Sequence, residues 1–157
     1  MGKRLHDKIT IVSGAANGIG RAISRRFAEE GAWVLVTDID AEAGRRTVAE
    51  IKDAGGQAEF RLVDIGSREQ IEAAVERVAG EFGRIDVLIN NAAYIGAWHD
   101  VINATEEEWD GCLRTTLLGT QRFTQAALPW MIAKKRGSIV MMASIQGLVA
   151  CPNSVSY

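Results

Sequence analysis

The chain has 157 residues, 47% of them hydrophobic and 24% charged, with a formal net charge of −2. This is one domain's worth of sequence with an ordinary globular composition. The near-neutral balance argues against nucleic acid or an anionic membrane as partner, and no apolar run reaches the roughly 18 residues of a membrane span. The start, Met1-Gly2, is not followed by a signal-peptide core, and His6 stands where myristoylation wants Ser or Thr. Cys112 and Cys151 have no metal-ligand spacing and read as free thiols of a cytoplasmic protein, so no metal is expected. Asn103-Ala104-Thr105 matches a glycosylation acceptor that is idle in that compartment.

Ile9-Thr10-Ile11-Val12 reads as a buried strand. It runs into Ser13-Gly14-Ala15-Ala16-Asn17-Gly18-Ile19-Gly20, after which Ile19, Ala22, Ile23 and Phe27 recur at helical spacing. A strand, a glycine-rich turn and a helix start, in that order, offer free N–H groups and the positive end of a helix dipole to an anion. Glycines also let the backbone approach a pyrophosphate closely. The G-x-x-x-G-x-G spacing of Gly14, Gly18 and Gly20 differs from G-x-G-x-x-G, and in a chain with 16 glycines a plain structural turn is the competing reading. Gly31 closes the first helix as a C′ glycine. Ala32 to Thr37 reads as a second strand with Asp38 at its tip, eighteen residues past Gly20. A carboxylate there accepts from the ribose 2′-OH of NAD and repels a 2′-phosphate, and no Arg or Lys stands beside it, so NAD is favoured over NADP. The alternative role for Asp38 is to start the turn Asp38-Ile39-Asp40 into the next helix.

Ala58 to Val63 is the third expected strand, followed by Asp64-Ile65. Ser67-Arg68-Glu69-Gln70 has the form of a capping box, and Ile71, Ala74, Val75, Val78 and Phe82 give the helix behind it an apolar stripe. Ile85 to Ile89 is continuously apolar, as a strand covered on both faces should be. Thr105-Glu106-Glu107-Glu108 is a second capping box. It opens a long helix expected to bend at Pro129, carry Cys112 as core filler, and stop at Gly137 after Lys134-Lys135-Arg136. Ser138 to Ala143 is a fifth strand, of which Ile139 to Met142 is expected to form an exposed apolar edge. The alternation predicts an α/β fold: a Rossmann-like, doubly wound parallel sheet in one domain over residues 1–157.

With these elements laid out, the chain resembles the short-chain dehydrogenases/reductases over its whole length. Ser13 to Gly20 is similar to that family's T-G-x-x-x-G-I-G, with Ser for Thr. Asp64-Ile65 resembles its acidic-aliphatic pair at the adenine ring, and Asn90-Asn91-Ala92-Ala93 resembles N-N-A-G. Ser144 follows the fifth strand and precedes Tyr157 by thirteen positions, the family's separation of catalytic serine and tyrosine. The resemblance implies that Gly14, Ala16, Asn17, Gly18, Ile19, Gly20, Asp38, Asp64, Ile65 and Asn91 bind NAD. It also implies that Ser144 and Tyr157 are catalytic. The phenol is then general acid or base on a small alcohol or ketone, the serine hydroxyl steadies the same oxygen, and hydride moves between nicotinamide and substrate carbon. The plain alternative for Ser144 is a strand-end hydroxyl capping a turn.

The match has departures. Tyr157 is the last residue of the sequence, so the lysine that the family carries four positions later falls outside it. So do the family's next helix, sixth strand, substrate-covering segment and seventh strand, and the sheet is expected to be incomplete on its C-terminal side. The expectation is the N-terminal part of an oxidoreductase, inactive as the literal chain, whose full-length parent is a homo-oligomer built through the long helix. The alternative is a dinucleotide-binding module without turnover. Thr116 stands where the family has an asparagine, and Ala93 where it has a glycine. Trp98 and His99 lie in the loop expected to line the substrate side, where His99 reads as a surface polar group.

Overall fold

The computed structural model describes residues 3–157, and the Met1-Gly2 start weighed above for a lipid anchor lies outside them. Five strands, β1 (Ile9–Ser13), β2 (Trp33–Asp38), β3 (Gln57–Leu62), β4 (Val87–Asn90) and β5 (Ser138–Met141), form one sheet in the order β3-β2-β1-β4-β5. All four pairings are parallel. The crossovers run through α1 (Gly18–Glu29), α2 (Ala41–Asp53), α3 (Arg68–Phe82), and α4 (Glu106–Cys112) continued by α5 (Leu118–Ala133). This is the Rossmann-like architecture that the sequence predicts.

The side-chain alternation of the inner strands builds two cores. Ile9 and Ile11 of β1, Leu35 of β2 and Leu88 of β4 pack with Ile71, Val75 and Val78 of α3 and Phe123, Ala127 and Met131 of α5. Val12, Val34, Val36 and Ile89 point the other way, onto Ala28 of α1 and Val48 and Ile51 of α2. Every residue of β1 is buried, as in a strand covered on both faces, and its two polar side chains are hydrogen-bonded, Thr10 Oγ1 to Trp33 O and Ser13 Oγ to Ile89 O. At the amino end of the sheet, the buried Asp86 carboxylate accepts from Ile9 N at 3.0 Å and Arg84 Nε at 3.0 Å. β3 and β5 lie at the two edges; Val140 and Met141 of β5 are exposed, as the expected apolar edge requires.

The helix ends follow local chemistry. Gly31, at φ +92°, is the C′ glycine of α1, and its N–H and that of Ala32 close the last turn on Ala28 O and Phe27 O, both at 3.0 Å. Thr105 and Glu108 form the full reciprocal capping box of α4. Ser67 does not. Its hydroxyl accepts from Gln70 N, but Gln70 Oε1 reaches back past it to Asp64 N at 2.8 Å. The side chain expected to complete the box instead ties the β3–α3 turn down. The long helix is also not continuous in kind: Leu113–Leu117 is a π-helical turn between α4 and α5. Pro129 lies inside α5, which runs on to Ala133.

Candidate active site

The order β3-β2-β1-β4-β5 places a switch between β1, whose chain moves on to β2, and β4 on its other side. Loops leaving the carboxyl ends of β1 and β4 diverge there and open a crevice. Ser13 locks the two strand ends together. Its hydroxyl donates to Ile89 O at 3.3 Å and accepts from Asn91 N at 3.0 Å and Ala92 N at 3.1 Å. Asn91 completes the lock through Nδ2, which donates to Ser13 O and Gly14 O, both at 3.0 Å.

The glycine loop is shaped by close contact at Gly14 and Gly20. Gly14 has φ +61°, and a Cβ there would sit 2.7 Å from Ala92 Cα. A Cβ on Gly20 would lie 2.1 Å from Gly14 O and 2.7 Å from Asn91 Nδ2. Gly18, at φ +53°, has open space around it instead. Ala15 N donates to Thr37 O at 3.1 Å, and Ala16 is held twice: its N–H donates to Asp38 Oδ2 at 2.9 Å, and its carbonyl accepts from Thr47 Oγ1 at 2.9 Å. Asp38 therefore has a loop-building role, since Oδ1 also accepts from Asp40 N at 3.0 Å. Each carboxylate oxygen has a second lone pair, so acceptor capacity remains on the cleft side.

The start of α1 is different from the other helix starts that leave a loop. Asp40, Ser67 and Thr105 cap α2, α3 and α4 with their side chains, and each of those helices has an acidic residue in its first turn. Asn17 makes no side-chain cap, and the first turn of α1 has no acidic residue. Its first N–H groups and dipole end are left to whatever lies in front of them.

In front of them is a cleft of about 890 Å³. Gly14, Asn17, Gly18, Ile19, Asp38, Asp64, Ile65 and Asn91 line it, together with Ile39, Val63, Arg114 and Thr115. Ala16 and Gly20 are not in the lining; they support the loop from behind. Ile65 is largely buried in the core and shows the cleft only part of its surface. Asp64 Oδ1 accepts from Gly66 N at 2.7 Å.

Ser144 and Tyr157 stand apart from this cleft. The Ser144 hydroxyl accepts from Gln146 N at 3.1 Å and caps the short 3₁₀ turn Ile145–Gly147, the bland role foreseen for it. Tyr157 lines a second hollow of about 390 Å³ with Asp100, Gln146, Cys151 and Asn153, and Ser144 is not part of that lining. Hydrogen bonds of the Asn103 backbone and side chain hold the Asp100 carboxyl below its usual range. His99 is partly exposed and pairs through Nδ1 with Oε1 of the buried Glu108 at 2.8 Å, which fastens its loop to the cap of α4. Thr116 sits in the π-turn and grips the backbone of Tyr94, accepting from its N–H at 3.0 Å and donating to its carbonyl at 3.1 Å.

Two locking residues, Ser13 and Thr47, were not among the expected site residues. Ser13 carried a signal as the last residue before the first loop glycine. Thr47 carried none, because it reaches the loop from α2, and neither did Arg114, which lines the cleft from the π-turn.

The short chain dehydrogenase model matches residues 8–157. The chain belongs to the short-chain dehydrogenase family. It is 37% identical over 156 residues to the 3-oxoacyl-acyl-carrier-protein reductase FabG of Thermotoga maritima, covering 98% of this chain and 62% of that protein. Among solved structures it superposes on an NAD⁺-bound xylitol dehydrogenase with a TM-score of 0.94 at 32% identity, covering 98% of this chain and 59% of the other. A metagenomic short-chain oxidoreductase in complex with NADP gives 0.93 at 34% identity, with 98% and 69% covered. The chain thus spans about three-fifths of the length of the curated relatives it matches, 62% and 61% for two of them. No helix among the described residues is long and apolar enough to cross a membrane.

Proposed function

We propose that the cleft binds NAD, and that the protein moves a hydride between its nicotinamide and a secondary alcohol or ketone. One observation carries the reading: α1 alone among the helices leaving a loop is uncapped, and it opens onto a glycine-lined cleft. A pyrophosphate supplies the missing acceptors, an interaction of the N-cap kind worth about 0.5–2 kcal/mol. The donor set fits the rest of a dinucleotide as well. Asp38 offers lone pairs to the ribose hydroxyls, and Ile39, Val63 and Ile65 offer apolar walls to a base beside Asp64. Gly14, Ala16, Asn17, Gly18, Ile19 and Gly20 form the cradle, and Asn91 holds it against the end of β4. One relative is bound to NAD⁺ and another to NADP, so the preference for NAD rests on Asp38.

When bound, the nicotinamide supplies the hydride acceptor or donor. Tyr157 then holds or gives up the proton of the substrate oxygen, and the Ser144 hydroxyl donates to that same oxygen. The hollow beside Tyr157 takes the small alcohol or ketone. The free thiols Cys112 and Cys151 suit the cytoplasm, and the exposed Leu117, Leu128 and Ile132 suit assembly into a homo-oligomer.

The test is NAD-linked turnover of a panel of secondary alcohols by the protein and by Tyr157→Phe. Turnover lost in the variant supports the reading; turnover that survives it refutes the role of Tyr157. A second reading, a dinucleotide-binding module without turnover, is favoured by the Ser144 hydroxyl being engaged as a turn cap. It predicts dinucleotide binding with no activity on any alcohol or ketone.

A further inference from the structure

The hollow beside Tyr157 has a lopsided chemistry. Asp100, Gln146, Asn153 and Ser154 bring polar side chains to it, and no Lys, Arg or His is among the described residues that line it. The Asp100 carboxylate is the one formal charge in that lining. Its sequence neighbour His99 is engaged elsewhere, with Nδ1 at 2.8 Å from Glu108 Oε1. A substrate carrying its own carboxylate or phosphate meets a like charge there and finds no counter-charge.

Two of the polar groups are fixed on one side and open on the other. Asp100 Oδ1 accepts from Ile102 N at 3.1 Å, Asn103 N at 3.0 Å and Asn103 Nδ2 at 2.8 Å. These bonds hold the carboxylate in place and keep it ionised at neutral pH. Oδ2 has no donor among the described residues, so an oriented, charged acceptor is left over. Gln146 Oε1 accepts from Ser154 Oγ at 3.1 Å, which leaves Nε2 as a donor with no acceptor among the described residues. The backbone N–H of Gln146 donates to the Ser144 hydroxyl at 3.1 Å, so this wall of the hollow is tied to the serine proposed for catalysis.

We propose that the hollow selects an uncharged diol or polyol, with Asp100 as its specificity-determining residue: while the reacting hydroxyl stands at Tyr157, a second hydroxyl donates to Asp100 Oδ2 and accepts from Gln146 Nε2. A hydroxyl both donates and accepts, so one group satisfies both open positions. A plain alcohol leaves both unmade, and an anion is repelled by the carboxylate. The proposal rests on the reading of that hollow as the substrate site of an oxidoreductase on small alcohols.

The test compares three four-carbon molecules with a common CH(OH)CH₃ end: butane-2,3-diol, butan-2-ol and 3-hydroxybutyrate. Their affinities for the full chain are read by ligand-detected NMR with NADH present, which prevents oxidation and leaves binding alone. Wild type is expected to bind the diol about fivefold more tightly than butan-2-ol, the scale of one net hydrogen bond, and 3-hydroxybutyrate most weakly. Asp100→Asn keeps an acceptor for Ile102 and Asn103 but loses the charge. It is expected to cut the diol preference to about twofold or less and to bring 3-hydroxybutyrate level with butan-2-ol. Gln146→Ala should also cut the diol preference yet still reject 3-hydroxybutyrate, because the carboxylate stays. A wild type that binds the diol no better than butan-2-ol, or 3-hydroxybutyrate as tightly as the diol, overturns the proposal. So does an equal fall for all three ligands in Asp100→Asn, which marks a merely structural role. A chain that binds NADH and none of the three refutes the substrate reading of the hollow, and the proposal falls with it. Failure to bind NADH with the diol preference intact sinks the dinucleotide reading and leaves this proposal supported.

Discussion

The two sides of the sheet's carboxyl edge are built differently. Around β1 and β2, the chain is locked by side chains that reach it from distant elements: Ser13 onto β4, Thr47 onto Ala16, Asp38 onto Ala16 and Asp40. From the end of β5 onward, Met141, Ile145, Leu148 and Val149 are 55%, 67%, 83% and 57% exposed; Met142 N donates to Asn90 O at 2.8 Å, and the other backbone bonds are short-range turn bonds. The first side can keep a ligand-shaped surface without the ligand. The second carries Ser144 and Tyr157, the proposed catalytic pair, among more exposed side chains. Substitutions on the two sides should therefore behave differently.

The largest expected effect is at Gly14. Alanine there meets both a left-handed backbone and Ala92, and should cost about 2–5 kcal/mol by strain and overpacking together. Denaturant unfolding reads the loss, and dinucleotide binding should vanish with it. Ser13→Ala comes next. It leaves the N–H groups of Asn91 and Ala92 without their acceptor and should cost about 2–3 kcal/mol by the same measurement. If either variant is as stable as wild type, the β1–β4 lock does not stiffen the cleft.

A milder effect sits at the N-terminal strap. The Arg4 side chain, and after it the Arg4 backbone N–H, hold the Glu30 carboxyl down to about 2 from an ordinary 4.5. A lowered carboxyl contributes stability that is present above its unfolded value and lost as pH falls toward its folded one. Acid titration should therefore loosen the strap between about pH 4.5 and 2, seen as faster amide exchange at Leu5, whose N–H donates to Glu30 O at 3.0 Å. Glu30→Gln should remove that pH dependence. The smallest effect belongs to β5: Met141→Lys, on an exposed edge, should change stability by no more than about 0.5 kcal/mol while reducing aggregation. A large loss there would show that the second side is as tightly built as the first.

The alternation of strands and helices was legible because it rests on local periodicity: the largely apolar run of β1 and the stripe of Ile71, Val75 and Val78 announce buried faces on their own. The cradle was legible for the same reason, since Gly14, Gly18 and Gly20 lie within one turn, and Asp38 follows at the tip of the next strand. What escaped depends on register between elements far apart in sequence. Thr47 finds Ala16 only once α2 has docked, and Arg114 lies over Gly66 from a π-turn remote in sequence. Gln70 shows the limit even locally. Its spacing from Ser67 spells a capping box, but Asp64 N takes its oxygen first.

In the proposed function, the uncapped start of α1 and the carboxylate of Asp38 make this cleft an NAD site. Calorimetric titration of wild type and Asp38→Ala with NADH and NADPH tests it most directly. Wild type is expected to bind NADH more tightly, and Asp38→Ala to lose about tenfold in NADH affinity, the worth of one charge-assisted hydrogen bond, and to narrow the gap to NADPH. Tighter binding of NADPH by wild type, or no binding of either, would contradict it.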